Sequence, residues 1–258
     1  MKRITKCVIV LILLSTDVIC AETIRKEIVN PNGTTEFIFY SGEKEVARQV
    51  VGEDENLVSK VGTIPDGIVS EYYKSGELQF EFSYKNGKYE GISREYYKSG
   101  KLSAETNLKN GIREGISKEF YESGAVKKEG HYVNNAIEMV KDFYESGKLK
   151  RIWGYKAGKR EGTSRDYYES GKLSGEVNFK DDKLDGIAKT YYENGRLKAE
   201  ANYKDGKLED TGTEYYENGM RKQVDTYKNG ELITRKGYNI KGELECEQDS
   251  SVDDKDRK

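Results

Sequence analysis

Residues 95–105 read EYYKSGKLSAE, and residues 166–176 read DYYESGKLSGE. Stepping outward from these two stretches by 23 or 24 residues finds further copies. Units begin at Gly67, Gly91, Gly115, Glu138, Gly162, Gly186 and Asp210, and an incomplete eighth begins near Ile233. They share G-x-x-x-x-[YF]-Y-x-[SN]-G-x-L-x-x-E-x-x-[YF]-K-x-G-K-x-[ED]. The step is 24 residues except after the third and seventh units, where it is 23. A fixed period of this length marks tandem repeats, each a small unit that completes its packing only against its neighbours.

Within a unit, two short runs alternate with period two, as in GISREYY (91–97) and LSAETNL (102–108). Between them lies KSGK, and after them KNGIREG; Ser-Gly and Asn-Gly between such runs signal hairpins, because Gly and Asn accept positive φ. The repeats contain no Pro, the residue that interrupts a ladder. The expected fold is all-β: an elongated, twisted antiparallel meander of tandem hairpins, with about fifteen strands in the repeats. A two- or four-residue loop at KSGK sets the fourth position of a unit opposite the fifteenth. That pairs Arg94 with Glu105, Lys118 with Glu129, Arg165 with Glu176 and Lys189 with Glu200; a three-residue loop would shift the pairing by one. Cross-strand neighbours share a face, and facing charges contribute roughly 0.2–1 kcal/mol each. The register predicts one face with the second aromatic of each unit, the Leu or Val after the turn (Leu102, Leu173) and the later aromatic (Tyr155, Phe179). The first aromatic (Tyr96, Phe120, Phe143, Tyr167) and the ion pairs take the other.

The totals fit a thin repeat structure. Of 258 residues, 35% are hydrophobic and 35% charged, too polar for a thick core, while 20 Tyr are too many for a disordered chain. Lys and Arg number 44 against 46 Asp and Glu, which leaves no broad basic field for nucleic acid. Residues 1–20 read as a signal peptide: Lys2, Arg3 and Lys6 precede the apolar run Cys7–Leu14, which is too short to span a bilayer. Export to the periplasm, cell envelope or medium is the expectation, and lipid anchoring at Cys20 is the weaker one because Asp17, Val18 and Ile19 make a poor acylation signal. After cleavage Cys246 stands alone, so no internal disulfide forms. Residues 21–66 match the pattern poorly and read as a divergent N-terminal cap; 67–247 hold seven and a half units; 248–258 form a polar, disordered tail.

Chemistry finds little purchase in this chain. His131 is the only histidine and falls at a polar strand position, so neither a zinc cluster nor a Ser-His-Asp or Cys-His arrangement can be assembled. The carboxylates recur with the period and face bases, unlike a glycosidase pair. DDKLD (181–185) reads as a solvated turn in place of a calcium loop. The chain is therefore read as a non-enzyme without cofactor or metal. A site has to come from where the copies differ, and the fourth unit differs most: Glu138 replaces Gly, Ile152 replaces Glu, and the sole Trp, Trp153, stands beside it. With the aromatics Phe143, Tyr167, Tyr96 and Phe120, these residues are the candidate contacts for a partner, and a local kink is expected near 131–153.

The unit GIAKTYYENGRLKAEANYKDGKL (186–208) resembles the variant MORN repeat, and bacterial chains built of it are grouped as YwqK-type antitoxins. The resemblance covers residues 67–247 and implies neutralisation of a partner toxin by binding, without enzymatic activity. The leader departs from the cytoplasmic setting of that group. Two readings follow: an exported antitoxin- or immunity-like protein that binds another protein, or an envelope or surface rod that binds glycan or a host surface.

Overall fold

A computed structural model describes residues 22–249; the leader, with Cys7 and Cys20, and the last nine residues lie outside them. Every regular element described is a β-strand. The N-terminal segment supplies β1 (Thr23–Val29), β2 (Thr35–Ser41), β3 (Lys44–Val51) and β4 (Leu57–Gly62). The first three units supply β5 (Gly67–Tyr72), β6 (Leu78–Lys85), β7 (Lys88–Tyr89), β8 (Gly91–Tyr96), β9 (Leu102–Lys109), β10 (Ile112–Arg113), β11 (Gly115–Phe120) and β12 (Val126–Val133). The fourth and fifth supply β13 (Ala136–Phe143), β14 (Leu149–Lys156), β15 (Lys159–Arg160), β16 (Gly162–Tyr167) and β17 (Leu173–Lys180). The rest are β18 (Lys183–Leu184), β19 (Gly186–Tyr191), β20 (Leu197–Lys204), β21 (Lys207–Tyr215), β22 (Arg221–Lys228), β23 (Glu231–Tyr238) and β24 (Leu244–Asp249).

From β5 to β24 each strand pairs antiparallel with the next, the two-residue strands being short forerunners of the strand that follows them. The N-terminal segment departs from the expected all-antiparallel meander. Strand β1 pairs antiparallel with β2 on one side and parallel with β5 on the other, Thr23 against Val69 and Ile24 against Ser70. From β1, inside the sheet, the chain runs out to β4 at the edge and returns across one face to β5. A parallel neighbour requires such a crossover, and Ile64 on it is 1% exposed. Ile64, Phe39, Ala47, Val69 and Tyr84 form a buried cluster, with Phe37, Val46, Phe82 and Tyr89 against it. The poorly matching stretch therefore carries a core that the polar repeats do not supply for themselves.

The two turns of each unit have different chemistry. At KSGK, Tyr97 N donates to Lys101 O and Gly100 N to Tyr97 O, both at 2.8 Å. The loop is Lys98-Ser99-Gly100, three residues long, with Gly100 at φ 78°. Tyr96 then faces Leu102, but Glu95 faces Ala104 and Arg94 faces Glu105. Ser103 is a bulge residue that cancels the one-step shift made by the loop. The fourth and fifteenth positions consequently stand opposite each other, while the residues nearer the turn do not follow the expected alternation. This corrects the facial assignment: Tyr96, Phe120, Phe143 and Tyr167 are opposite Leu102, Val126, Leu149 and Leu173, so each first aromatic shares a face with the residue after the turn. The other turn is a two-residue hairpin with both residues at positive φ, as at Asn110 (52°) and Gly111 (87°). Beyond it Tyr84 faces Tyr89 while Glu81 faces Arg94, so the returning strand holds two extra residues. At the two 23-residue steps it holds one. Tyr132 faces Ile137 and His131 faces Met139, with Glu138 extra; Tyr227 faces Leu232 and Thr226 faces Thr234, with Ile233 extra. The irregularity expected near 131–153 is this shortened bulge, and β13 runs through it unbroken.

Units are also tied to one another side to side. The second aromatic of every full unit is Tyr, and its hydroxyl donates to the carbonyl of the first aromatic position in the next unit. Tyr73 bonds Tyr96 O at 2.8 Å, Tyr97 bonds Phe120 O at 2.6 Å and Tyr168 bonds Tyr191 O at 2.6 Å, and the series runs to Tyr216 and Tyr238 O at 2.9 Å. At the opposite strand ends, the acid closing one unit accepts from the first backbone N–H of the next two-residue turn, as Glu90 does from Asn110 N at 2.8 Å and Glu209 from Asn229 N at 2.7 Å. The eighth unit has Asn239 where Tyr would stand. Its side chain closes its own turn, accepting from Lys241 N and Glu243 N at 3.0 Å, and so ends the series.

Candidate functional site

The strand period sets the third, fifth, fourteenth, sixteenth and eighteenth positions of each unit on one face, called the front, which is the face the Ile64 crossover covers at the first unit. In the first unit these positions hold Val69, Glu71, Phe80, Phe82 and Tyr84. In the second, third, sixth and seventh the third and sixteenth are small or polar: Ser93 and Thr106, Ser117 and Gly130, Ala188 and Ala201, Gly212 and Asp225.

At the fourth unit the front face turns aromatic again. Strand β14 presents Arg151, Trp153 and Tyr155, and β16 and β17 present Ser164, Asp166, Gly175, Val177 and Phe179. Together they line an open groove of about 500 Å3. Trp153 Nε1 donates to Tyr155 Oη at 2.9 Å, which fixes the two rings as one wall. The Arg160 guanidinium sits 4.2 Å from the centre of the Phe179 ring. Ser164, Gly175 and Val177 make a low floor. A Cβ on Gly175 would come within 3.3 Å of Lys189 O, so the floor is close to the neighbouring backbone. Of the charges at the rim, Arg151 pairs with Asp166, Arg160 with Asp182 at 3.4 Å, and Glu176 with Arg165 of the other face at 3.5 Å, while Lys189 makes no ion pair. The Asp166 bond, with burial opposing it, holds the Arg151 guanidinium above its ordinary value. The groove is therefore an apolar, ring-walled recess whose rim charges are paired except for Lys189.

Of the residues singled out by sequence, Trp153 lines this groove. Ile152 points to the other face, opposite Lys141 and Arg165. Phe143 and Tyr167 lie against Leu149 and Leu173 near the turns, outside the groove. Tyr96 and Phe120 border a separate hollow of about 220 Å3 in the second and third units. They are not brought together with Trp153, because they belong to the second and third units and stand at the sixth position, which alternates away from the front face. Tyr155, Phe179 and Gly175 were the residues missed. The first two look like ordinary members of a periodic column, but Gly175 is the one Gly at the fourteenth position, and that was legible. Among the paired charges, Arg94 meets Glu105 at 3.0 Å and Lys118 meets Glu129 at 3.5 Å. Lys189 and Glu200 are backbone partners without an ion pair, and Glu200 accepts from Tyr215 Oη at 2.9 Å instead.

His131 is half-buried, with Nδ1 3.3 Å from Glu138 Oε2. Asp181 and Asp182 of DDKLD are engaged by Lys159 and Arg160. Among the described residues no three metal-binding side chains converge, and no helix is long and apolar enough to cross a membrane. The arrangement offers surfaces for contact and no assembled nucleophile, base and orienting group.

The MORN repeat variant family model matches residues 65–86, 89–110, 113–134, 140–157, 160–181, 184–205 and 211–229, more than half of the chain. No curated protein matches it. Among solved structures, a mutant Tc holotoxin pore of Photorhabdus luminescens aligns at 10% identity with a TM-score of 0.15, covering 88% of this chain; the chain spans 15% of that one. At that score the likeness says nothing about fold or function.

Proposed function

Because this chain belongs to the MORN repeat variant family, whose repeats serve as modules for binding proteins or membranes, we propose that it is a non-enzymatic scaffold that binds another protein through its front face. The observation that carries this reading is the groove around Trp153. It combines two periodic rings, Tyr155 and Phe179, with positions where the copies depart from the repeat, Trp153 and Gly175, and a specific partner needs a distinguishable surface. A large aromatic in a recess with paired charges around it has the form of an interface anchor, where truncation commonly costs ~2 kcal/mol or more. The leader-like residues 1–20 support export, and an exported binder of one protein would act as an immunity or antitoxin-like factor outside the cytoplasm. An envelope rod binding glycan is the competing reading.

Stoichiometric capture from the native cell, followed by titration of the purified partner, tests the proposal. Trp153→Thr, which restores the side chain of the second unit, is expected to weaken the partner by tenfold or more while circular dichroism and melting stay near wild type. Unchanged affinity would move the interface elsewhere, and retention on cell-wall glycan without a protein partner would favour the rod. An N-terminus near Ala21 in the mature protein is the expected mark of export; an intact Met1 would overturn it.

A further inference from the structure

Strand β1 outruns the strand it is inserted against. Its parallel ladder with β5 consists of Thr23 against Val69 and Ile24 against Ser70. Strand β5 ends at Tyr72, and the chain turns back there, with Tyr73 N donating to Glu77 O. Strand β1 runs on to Val29, paired throughout with β2 on its other side. From Lys26 to Val29 its β5-side edge therefore has no strand beside it. All four of these residues are exposed, Ile28 at 46% and Val29 at 70%.

An open hollow of about 1290 Å3 lies between that edge and the turn of the first unit. Its lining carries four cations, Arg25, Lys26, Lys74 and Lys98, against two acids, Glu27 and Glu71. Glu71 is engaged by Arg25 at 2.7 Å, and the three lysines make no ion pair, which leaves the hollow basic. Two of those lysines are departures from the repeat. The eighth position of a unit is Lys only at Lys74 and Lys98; the five later full units have Glu there, from Glu122 to Glu217. The basic character thus belongs to this end of the molecule.

Unpaired N–H and C=O groups on a strand edge are a template for a further strand, and the side chains set beside the newcomer select it. Directly opposite residues share a face, and residues two apart on a strand share one as well. We propose that the free edge of β1 receives an extended acidic segment of a protein partner, which adds a strand where β5 stops. It sets an Asp or Glu against Lys26 and, two positions away, an aliphatic residue against Ile28. Glu27, on the opposite face, calls for a neutral residue between them. Lys74 and Lys98 draw the segment in from the turn. The site is separate from the groove at Trp153 and does not depend on it.

The test uses the purified chain and labelled, blocked heptapeptides with Glu-x-Ile or Ile-x-Glu in a Ser/Thr background, followed by fluorescence anisotropy. One order is expected to bind, and Gln in place of Glu to weaken it tenfold or more. Methylating the peptide's amide nitrogens at alternate residues gives two further sets. The set blocked along the edge that faces β1 is expected to lose binding, and the other to keep it. Lys74→Glu with Lys98→Glu, which installs the residue of the later units, is expected to weaken binding tenfold or more with melting unchanged. Trp153 emission is expected not to respond, so this result and that of the groove are read independently. No response to either order, equal binding of the Gln peptides, or equal binding of both methylated sets overturns the proposal. A response that survives the double lysine variant overturns the placement at this edge. Without any peptide response, binding to phosphatidylserine-containing vesicles would give the hollow to a membrane, and a dimer dissolved by the double lysine variant would give it to a second copy; either overturns the proposal.

Discussion

The two aromatics in each Tyr-Tyr pair do different work, and the difference is a single hydroxyl. The first position accepts Phe, as at Phe120 and Phe143, because what it offers the preceding Tyr is a backbone carbonyl; its hydroxyl adds a bond to the preceding unit only at Tyr96 and Tyr215, to Glu81 and Glu200. The second is Tyr in all seven full units because its Oη bonds that carbonyl. Tyr168→Phe is therefore expected to cost about 0.5–1.5 kcal/mol, whereas Tyr167→Phe should be near neutral; urea titration of the two variants checks the contrast. The asymmetry was present in the sequence, but without coordinates it looked like chance among similar rings. A titration follows from the same column. Burial, then donation to Glu81, pushes the Tyr96 phenol up to about 12, against roughly 10 when unfolded. The folded state holds that proton more tightly, so its stabilisation is complete below pH ~10 and is lost as pH rises from there towards 12. Tyr96→Phe should flatten the alkaline arm of the stability curve in that window. At the acid end, burial raises the Asp225 carboxyl, but bonds from Arg235, Tyr227 and Gln223 outweigh it and hold the group below its ordinary value. That contribution is present above the unfolded value near 3.9 and disappears as pH falls through the lower folded one.

At the scale of the element, each first hairpin reaches its register by two opposed departures from regularity. The loop of three residues shifts the pairing by one, and the bulge at Ser103, Lys127 or Ser174 shifts it back. The positions of Arg165 and Glu176 were therefore readable from paired charges alone, while the face of Leu173 was not, because it lies between the two corrections. Bulge residues are polar and resemble any exposed strand position, so nothing in their identity announces them. Deleting Ser174 is expected to remove one correction and leave the other. The strand then either flips its face or strains its loop, and the fifth unit should lose its amide protection in hydrogen exchange while distant units keep theirs. The cycle Arg165→Glu with Glu176→Arg should recover part of what each single change loses. The pair is half exposed, so the coupling should lie within roughly 0.2–1 kcal/mol and shrink with salt.

Over the whole molecule, the period of 24 revealed the number of units, their hairpin nature and the open sheet. It could not reveal the parallel insertion of β1 or the crossover, since those belong to residues 21–66, where the repeat is absent and long-range pairing leaves no local signature. The two edges are also finished differently. Strand β24 carries Glu245, Glu247 and Asp249 on an exposed edge, and acid on an edge discourages a second chain from adding to it. Strand β4 is exposed along its length and ends in the Gly62 turn that starts the return across the face.

The position of β1 gives the molecule a direction under load. A pull on the C-terminus acts on β24, an edge strand with one neighbour, and opens its ladder one hydrogen bond at a time. A pull through the N-terminus acts on β1, which lies between β2 and β5 with Arg25 set among Phe37, Phe82 and Glu71. The bonds on both sides must then be sheared together. In optical tweezers, tethers attached at residues 22 and 72 should hold to a clearly higher force than tethers attached at 234 and 249, which face each other at the open end of the β23–β24 ladder. Equal forces would mean that the inserted strand confers no mechanical advantage. A chain held by its front end would thus keep its anchor while its far units peel and re-form.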